Sequence, residues 1–184
     1  HLGVGGGRLP VALGRAAMAG LTPHLFVSYG STESGAIARA DPATLRDHPD
    51  SVGRVVPWTQ VQAVDKADRP LPAGKTGLLR VRGEEAASGY FGSDAEAAGT
   101  AGKFRGGWFY PGDFGRLSPE GLLYVAGRSD DLVNLGGPEV NARVIEDALC
   151  AHPAVSEAAV CGAIDAGGVQ RLVAAVVPRG RLDE

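Results

Sequence analysis

No run of apolar residues in this chain approaches the length of about 18 that a membrane-spanning helix needs. A basic excess is also missing. Lys and Arg total 18 against 21 Asp and Glu, a formal net charge of −3, so the electrostatic footprint of a nucleic-acid binder is absent. The opening His1-Leu2-Gly3-Val4 has neither the charged nor the apolar region of a secretory leader. Cysteine is scarce. Cys150 and Cys161 make neither a disulfide framework nor a metal knuckle, and are expected to be buried thiols in a reducing, cytoplasmic setting. His24, His48 and His152 are scattered and His1 is terminal, so no zinc spacing occurs. A Gly-x-Ser-x-Gly nucleophile elbow is lacking too.

What the chain does have is ordinary globular material: 184 residues, 44% apolar and 21% charged. That is enough for one large domain or two small ones. Glycine stands out, at 28 residues, and implies many tight turns and close backbone approaches.

Three textures follow one another. Residues 1–50 begin with a glycine loop, Gly5-Gly6-Gly7, then a helix. Pro10 suits its first turn, Val11, Leu13, Ala16, Ala17 and Met18 supply its apolar face, and Gly20 stops it. His24 to Tyr29 is rich in β-formers and reads as a buried strand running into the polar loop Gly30-Ser31-Thr32-Glu33-Ser34-Gly35. Residues 41–60 look irregular, broken by Pro42, Pro49, Gly53 and Pro57. Short alternating strands then dominate 51–128. Phe114 to Leu117 and Leu122 to Val125 are joined by the hairpin turn Ser118-Pro119-Glu120-Gly121, and a small β-barrel is the expected arrangement. Residues 129–184 change again. Asn141 caps a helix to Ala151 whose stripe is Val144, Ile145, Ala148 and Leu149. Val155 to Ile164 and Val169 to Val177 read as an antiparallel pair packed on that helix, in a domain that looks incomplete. The fold class is therefore mixed α/β (α+β).

Two phosphate-loop patterns fail. Gly74-Lys75-Thr76 would need a glycine where Arg69 stands, and it leads into a strand, so it reads as a turn. Gly3-Val4-Gly5-Gly6-Gly7-Arg8 misses the third glycine of a dinucleotide fingerprint at Arg8. What survives is more useful. Tyr29-Gly30-Ser31-Thr32-Glu33 places an aromatic ring, hydroxyls and a carboxylate at a strand end. Such a set suits a nucleotide: a ring to stack on, an O–H for a phosphate oxygen, a carboxylate for Mg²⁺. It is equally an exposed polar turn. Gly112-Asp113 could accept from sugar hydroxyls or serve a turn. Gly127-Arg128 could hold an anion or be solvated.

Order and spacing favour the first reading. The chain resembles the adenylate-forming (AMP-binding) superfamily of acyl-CoA synthetases, peptide-synthetase adenylation domains and luciferase. The matching stretches run from Gly5-Gly6-Gly7-Arg8-Leu9-Pro10 through Tyr29 to Glu33 and Gly107-Trp108-Phe109-Tyr110-Pro111-Gly112-Asp113. They continue with Gly127-Arg128-Ser129-Asp130-Asp131 and Gly136-Gly137 followed by Val144-Ile145-Glu146. Gly74 to Leu79 and Gly89-Tyr90-Phe91 fit between them.

The resemblance implies a division of labour. Residues 1–50 would end an α/β nucleotide-binding subdomain, 51–128 would be the β-barrel subdomain, and 129–184 part of a C-terminal α+β lid. Gly5, Gly6 and Gly7 would lie against adenine, Tyr29 would stack on it, and Gly30 belongs to the same nucleotide loop. Thr32 would bond the α-phosphate and Glu33 would bind Mg²⁺. Asp113 would accept from the ribose, and Arg128 would reach ribose or phosphate; Thr32, Glu33 and Arg128 would be the catalytic set. Asp130 matches the hinge of the lid, and Gly136 and Gly137 the loop that the pantetheine thiol approaches. Val125 reads as either a nucleotide neighbour or core.

ATP (leaving as AMP), Mg²⁺ and CoA are the implied cofactors, and a small-molecule carboxylic acid the implied substrate. Ser31 and Gly136-Gly137 resemble acyl-CoA synthetases more than domains that load a carrier-protein phosphopantetheine. A non-catalytic nucleotide-binding remnant is a further alternative. Pro111 stands where the family usually has Thr, removing a hydroxyl and an N–H, and Asn134 where it often has Lys. The family's Ser/Thr/Gly-rich phosphate loop and late Gly-Lys lysine are not found here; Lys66, Lys75 and Lys103 are all misplaced for the latter. The chain is thus expected to be an internal piece of a longer ligase, inactive alone.

Overall fold

The computed structural model describes residues 1–92, 102–129, 132–134, 139–165 and 169–180. The chain divides into two compact units, 1–126 and 127–184.

The first unit begins with strand β1 (Leu2–Gly5), helix α1 (Val11–Gly20) and strand β2 (Leu25–Ser31). β1 pairs in parallel with β2 across the helical connection α1, with Val4 opposite Val27. Pro10 sits just outside α1, at its N-cap, with extended backbone (φ −60, ψ 138), and not in the first turn. Strand β3 (Gly35–Ala40) returns antiparallel to β2, and helix α2 (Pro42–Asp47) follows. The supposedly irregular stretch therefore contains a helix. Asp41 caps it, its Oδ1 accepting from Thr44 N–H at 2.7 Å, and Pro42 occupies the first turn. That bond holds the Asp41 carboxyl below its ordinary range.

The remaining strands of this unit are β4 (Gly53–Val55), β5 (Thr59–Val64), β6 (Gly77–Gly83), β7 (Phe104–Arg105), β8 (Trp108–Phe109), β9 (Asp113–Leu117) and β10 (Leu122–Arg128). They continue the sheet begun by β1–β3, in the order β1-β2-β3-β4-β10-β9-β6-β8-β7, with β5 on β6. The α+β class holds. The barrel does not close among the described residues. β3 pairs with β4 and β4 with β10, so the strands of 51–126 extend the strands of 1–50 instead of curling back on themselves. Gly121, at φ +80, makes the β9–β10 hairpin, with Ser118 N–H on Leu122 O at 2.8 Å. Gly74, at φ +82, makes the turn before β6, where Lys75 N–H bonds Pro72 O at 3.2 Å.

Two cores hold this unit. Leu25, Val27, Ala40 and Leu45 are buried with Leu2, Val4, Leu9, Ala17 and Met18. Ile37, Ala38, Ala63, Leu79, Val81 and Leu123 form the second, and Val125 packs against it. Val125 is a core residue in this arrangement.

The second unit contains strands β11 (Leu132–Asn134) and β12 (Glu139–Asn141), helix α3 (Ala142–Cys150), and strands β13 (Val155–Ile164) and β14 (Gln170–Pro178). Asn141 caps α3, its Oδ1 accepting from Arg143 N–H at 2.9 Å. β13 and β14 pair antiparallel as expected. The core here is Val133, Ala142 and Val160, packed with Ile145, Leu149 and Leu172. The helix stripe is narrower than expected: Ile145 and Leu149, one turn apart, face inward, whereas Val144, about 100° around the helix, is 64% exposed. Both cysteines are exposed, against expectation. Cys161 alternates with the buried Val160 and so takes the opposite face of β13; Cys150 ends α3 one position past the inward Leu149.

Gly53 shows the tightest packing of strands. Its φ is +100, and a Cβ there would overlap the Arg39 carbonyl across the β3–β4 pair. Gly53→Ala is expected to destabilise the first unit by about 2 kcal/mol or more. Urea unfolding checks this; an unchanged midpoint would contradict the strand pairing.

Candidate functional site

The reversal from β2 to β3 builds the site's central loop. Gly30 ends the regular part of β2, where the register with β3 shifts. A Cβ at Gly30 would overlap the Gly35 carbonyl, so the strands can approach only here without a side chain. Gly35 has φ +63, a conformation that favours glycine. Between them, the fully buried Ser34 ties the turn. Its Oγ accepts from Ser31 N–H at 3.2 Å and lies 3.0 Å from Ser31 Oγ. Thr32 is left exposed and Glu33 half-buried at the tip.

Two contacts bring distant residues to this loop. Tyr29, on β2, donates its hydroxyl to Asp113 Oδ2 at 2.5 Å, across 84 residues. Asp113 is 8% exposed at the start of β9. Tyr90 donates its hydroxyl to Glu33 Oε1 at 2.6 Å, across 57 residues. The phenol's hydrogen bond holds the Glu33 carboxyl below the ordinary range; partial burial opposes this, and the positive charge of Lys103 adds to it. The same bond raises the Tyr90 phenol. Glu33 is therefore anionic at neutral pH.

The other expected site residues are distributed as follows. Gly5 closes β1, beside Ser28 of β2, and Gly6 and Gly7 are exposed beyond it, with nothing within 4 Å of a Cβ at either. Gly30, Thr32 and Glu33 lie on the one loop. Arg128 is exposed at the end of β10 and belongs to the second unit. Asp130, Gly136 and Gly137 lie outside the described residues. The structure thus joins Tyr29 to Asp113. Tyr90 is the residue that sequence reasoning missed as a member of the site. Gly89-Tyr90-Phe91 was visible as a fitting stretch, but no spacing within it points to a carboxylate so far away.

The arrangement presents, on one unit, a neutral glycine edge, an exposed Thr32 hydroxyl, an anionic Glu33 and a buried carboxylate at Asp113. Those are groups for an aromatic base, a phosphate oxygen, a divalent cation and vicinal hydroxyls.

Comparison with known proteins places the chain in a family. Residues 1–91 match the AMP-binding enzyme family and residues 144–184 the AMP-binding enzyme C-terminal domain. The chain is 36% identical to 2-succinylbenzoate–CoA ligase of Bacillus velezensis over 163 residues, covering 88% of this chain and 32% of that protein. It is 31% identical to a long-chain-fatty-acid–CoA ligase of Escherichia coli, over 88% of this chain and 28% of the relative. Its fold is similar to that of o-succinylbenzoate coenzyme A synthetase of Bacillus subtilis, solved with ATP and magnesium ion. The TM-score there is 0.81 at 28% identity, over 98% of this chain and 37% of that one. The chain belongs to the adenylate-forming, AMP-binding enzyme family. It spans about a third of the length of these relatives.

The Tyr29–Asp113 bond is charge-assisted and half-buried. Tyr29→Phe, which keeps the ring, is expected to cost about 1.5–3 kcal/mol of stability. Urea denaturation measures it; a loss near zero would mean that the bond contributes nothing in solution.

Proposed function

We propose that the protein containing this chain activates a carboxylic acid with ATP and then passes the acyl group to the thiol of CoA. The observation that carries the reading is the pairing on one loop of an exposed Thr32 hydroxyl with an anionic Glu33, next to a Tyr29–Asp113 pair, in a member of this family. In the first half-reaction a carboxylate oxygen attacks the α-phosphorus and pyrophosphate leaves, giving an acyl-adenylate. In the second, the thiol sulfur attacks the acyl carbon and AMP leaves.

The chain's residues suit these demands. Gly6 and Gly7 leave open room beside β1, where a flat base can lie without a side chain in its way. The Tyr29 ring offers its face to that base, its hydroxyl anchored by Asp113. Asp113 accepts from ribose hydroxyls, and the exposed Thr32 donates to an α-phosphate oxygen. Glu33 would hold Mg²⁺, which when bound offsets phosphate charge as pyrophosphate departs. Arg128 would offset the same negative charge. Gly136 and Gly137 would flank the incoming pantetheine. We also assign the three regions 1–50, 51–128 and 129–184 to nucleotide-binding, β-rich and lid parts of the enzyme. No helix among the described residues is long and apolar enough to cross a membrane. A small-molecule carboxylic acid and CoA are the proposed partners.

Glu33→Gln in the intact enzyme should lower the pyrophosphate-release rate at limiting Mg²⁺ by a factor of about ten or more, since a lost charge-assisted contact is worth ~1.5–3 kcal/mol. Wild-type turnover by that variant would remove Glu33 from the reaction. In the same enzyme, formation of acyl-CoA identifies the acceptor; label appearing only on a phosphopantetheinyl carrier would transfer the second half-reaction to a carrier protein.

Asp130 is the proposed hinge. Asp130→Pro fixes φ near −65° and should depress one half-reaction far more than the other in single-turnover assays. Equal losses in both would assign it another role.

A further inference from the structure

The segment after β6 crosses the Glu33 loop and touches it three times. Ala87 N–H donates to the Glu33 carbonyl at 2.7 Å. Glu85 Oε2 accepts from Ala36 N–H at 3.3 Å, with its side chain lying against Gly35. Tyr90 OH donates to Glu33 Oε1 at 2.6 Å. The first two contacts fix the loop's backbone. The third fixes the rotamer of the one side chain at its tip that can bind a cation.

Tyr90 is itself held. Its ring meets Phe104 edge-on, with centroids 5.4 Å apart, and Lys103 Nζ lies 5.9 Å from its centre. Phe104 in turn packs on the buried Phe109 at 4.9 Å, joining this ring to β7 and β8. The neighbouring Phe91, by contrast, is fully exposed and does none of this.

We propose that Tyr90 is a positioning residue for the Glu33 carboxylate. By engaging Oε1 it leaves Oε2 turned to the cation that accompanies ATP. This rests on the reading of Glu33 as the metal-binding carboxylate. A long acidic side chain at an exposed loop tip samples several rotamers, and each must be given up when the cation binds. A hydroxyl that holds it beforehand, the Tyr90 bond being the strongest and Ser31 adding a weaker one, lowers that cost, and it does so without touching substrate or metal.

The test is a Mn²⁺ titration of the intact enzyme with ATP, following free Mn²⁺ by its electron paramagnetic resonance signal, alongside thermal melting. Tyr90→Phe keeps the ring and its aromatic contacts and removes only the hydroxyl. It should raise the Mn²⁺ concentration at half-saturation by about two- to tenfold, the cost of immobilising one freed rotamer-rich side chain, with the melting temperature little changed. Ala87→Pro, which removes the N–H to the Glu33 carbonyl, should weaken Mn²⁺ in the same direction. Phe91→Ala should bind as the wild type does. Tyr90→Phe binding Mn²⁺ like the wild type, while Glu33→Gln loses the ion, overturns the positioning role and leaves the metal reading intact. Undiminished Mn²⁺ binding by Glu33→Gln overturns both.

Discussion

The close approach of the Gly30 α-carbon to the Gly35 carbonyl shapes the rest of the site. Strands β2 and β3 pair in register up to Tyr29, slip there, and turn within Thr32, Glu33 and Ser34. Any side chain at position 30 would force the strands apart. Because they stay together, the turn is short, Ser34 is driven into the interior, and Thr32 and Glu33 are pushed out at the sheet's end. The same pairing sets the direction of Tyr29, whose hydroxyl reaches Asp113 on β9. A backbone constraint thus decides which side chains can meet.

Longer-range contacts then convert the turn into a site. Residues 113 and 90 reach the loop because the sheet is continuous: β3 pairs β4, β4 pairs β10, β10 neighbours β9, and β9 pairs β6. Were 51–126 a separate closed barrel, those residues would not be obliged to lie near residues 29–35. The open sheet gives Glu33 a phenol partner and Tyr29 a carboxylate partner. Both bonds are charge-assisted and so stronger than neutral ones.

Much of this was legible in the residues. The Asn141 cap, the helix after it and the β13–β14 pair follow from local chemistry and period, and so does the Ser118–Gly121 hairpin. The motif stretches identified the family because their order is a property of the chain itself. Helix α2 was missed although Asp41-Pro42-Ala43-Thr44 carries a cap and a first-turn proline; the surrounding prolines masked it. β1 was missed because Gly3 and Gly5 weaken any strand signal. The burial of the cysteines was misjudged because residue type alone does not say which face of β13 is covered. The Tyr90–Glu33 and Tyr29–Asp113 bonds had no signal in spacing, since tertiary pairing alone creates them.

The most direct measurement of the central claim follows oxygen. The intact enzyme, given ATP, CoA and its acid labelled with ¹⁸O in the carboxylate, should yield AMP carrying one ¹⁸O, because the attacking oxygen stays on the α-phosphorus when the thiol displaces AMP. Unlabelled AMP, or ADP and inorganic phosphate in place of AMP and pyrophosphate, would contradict it.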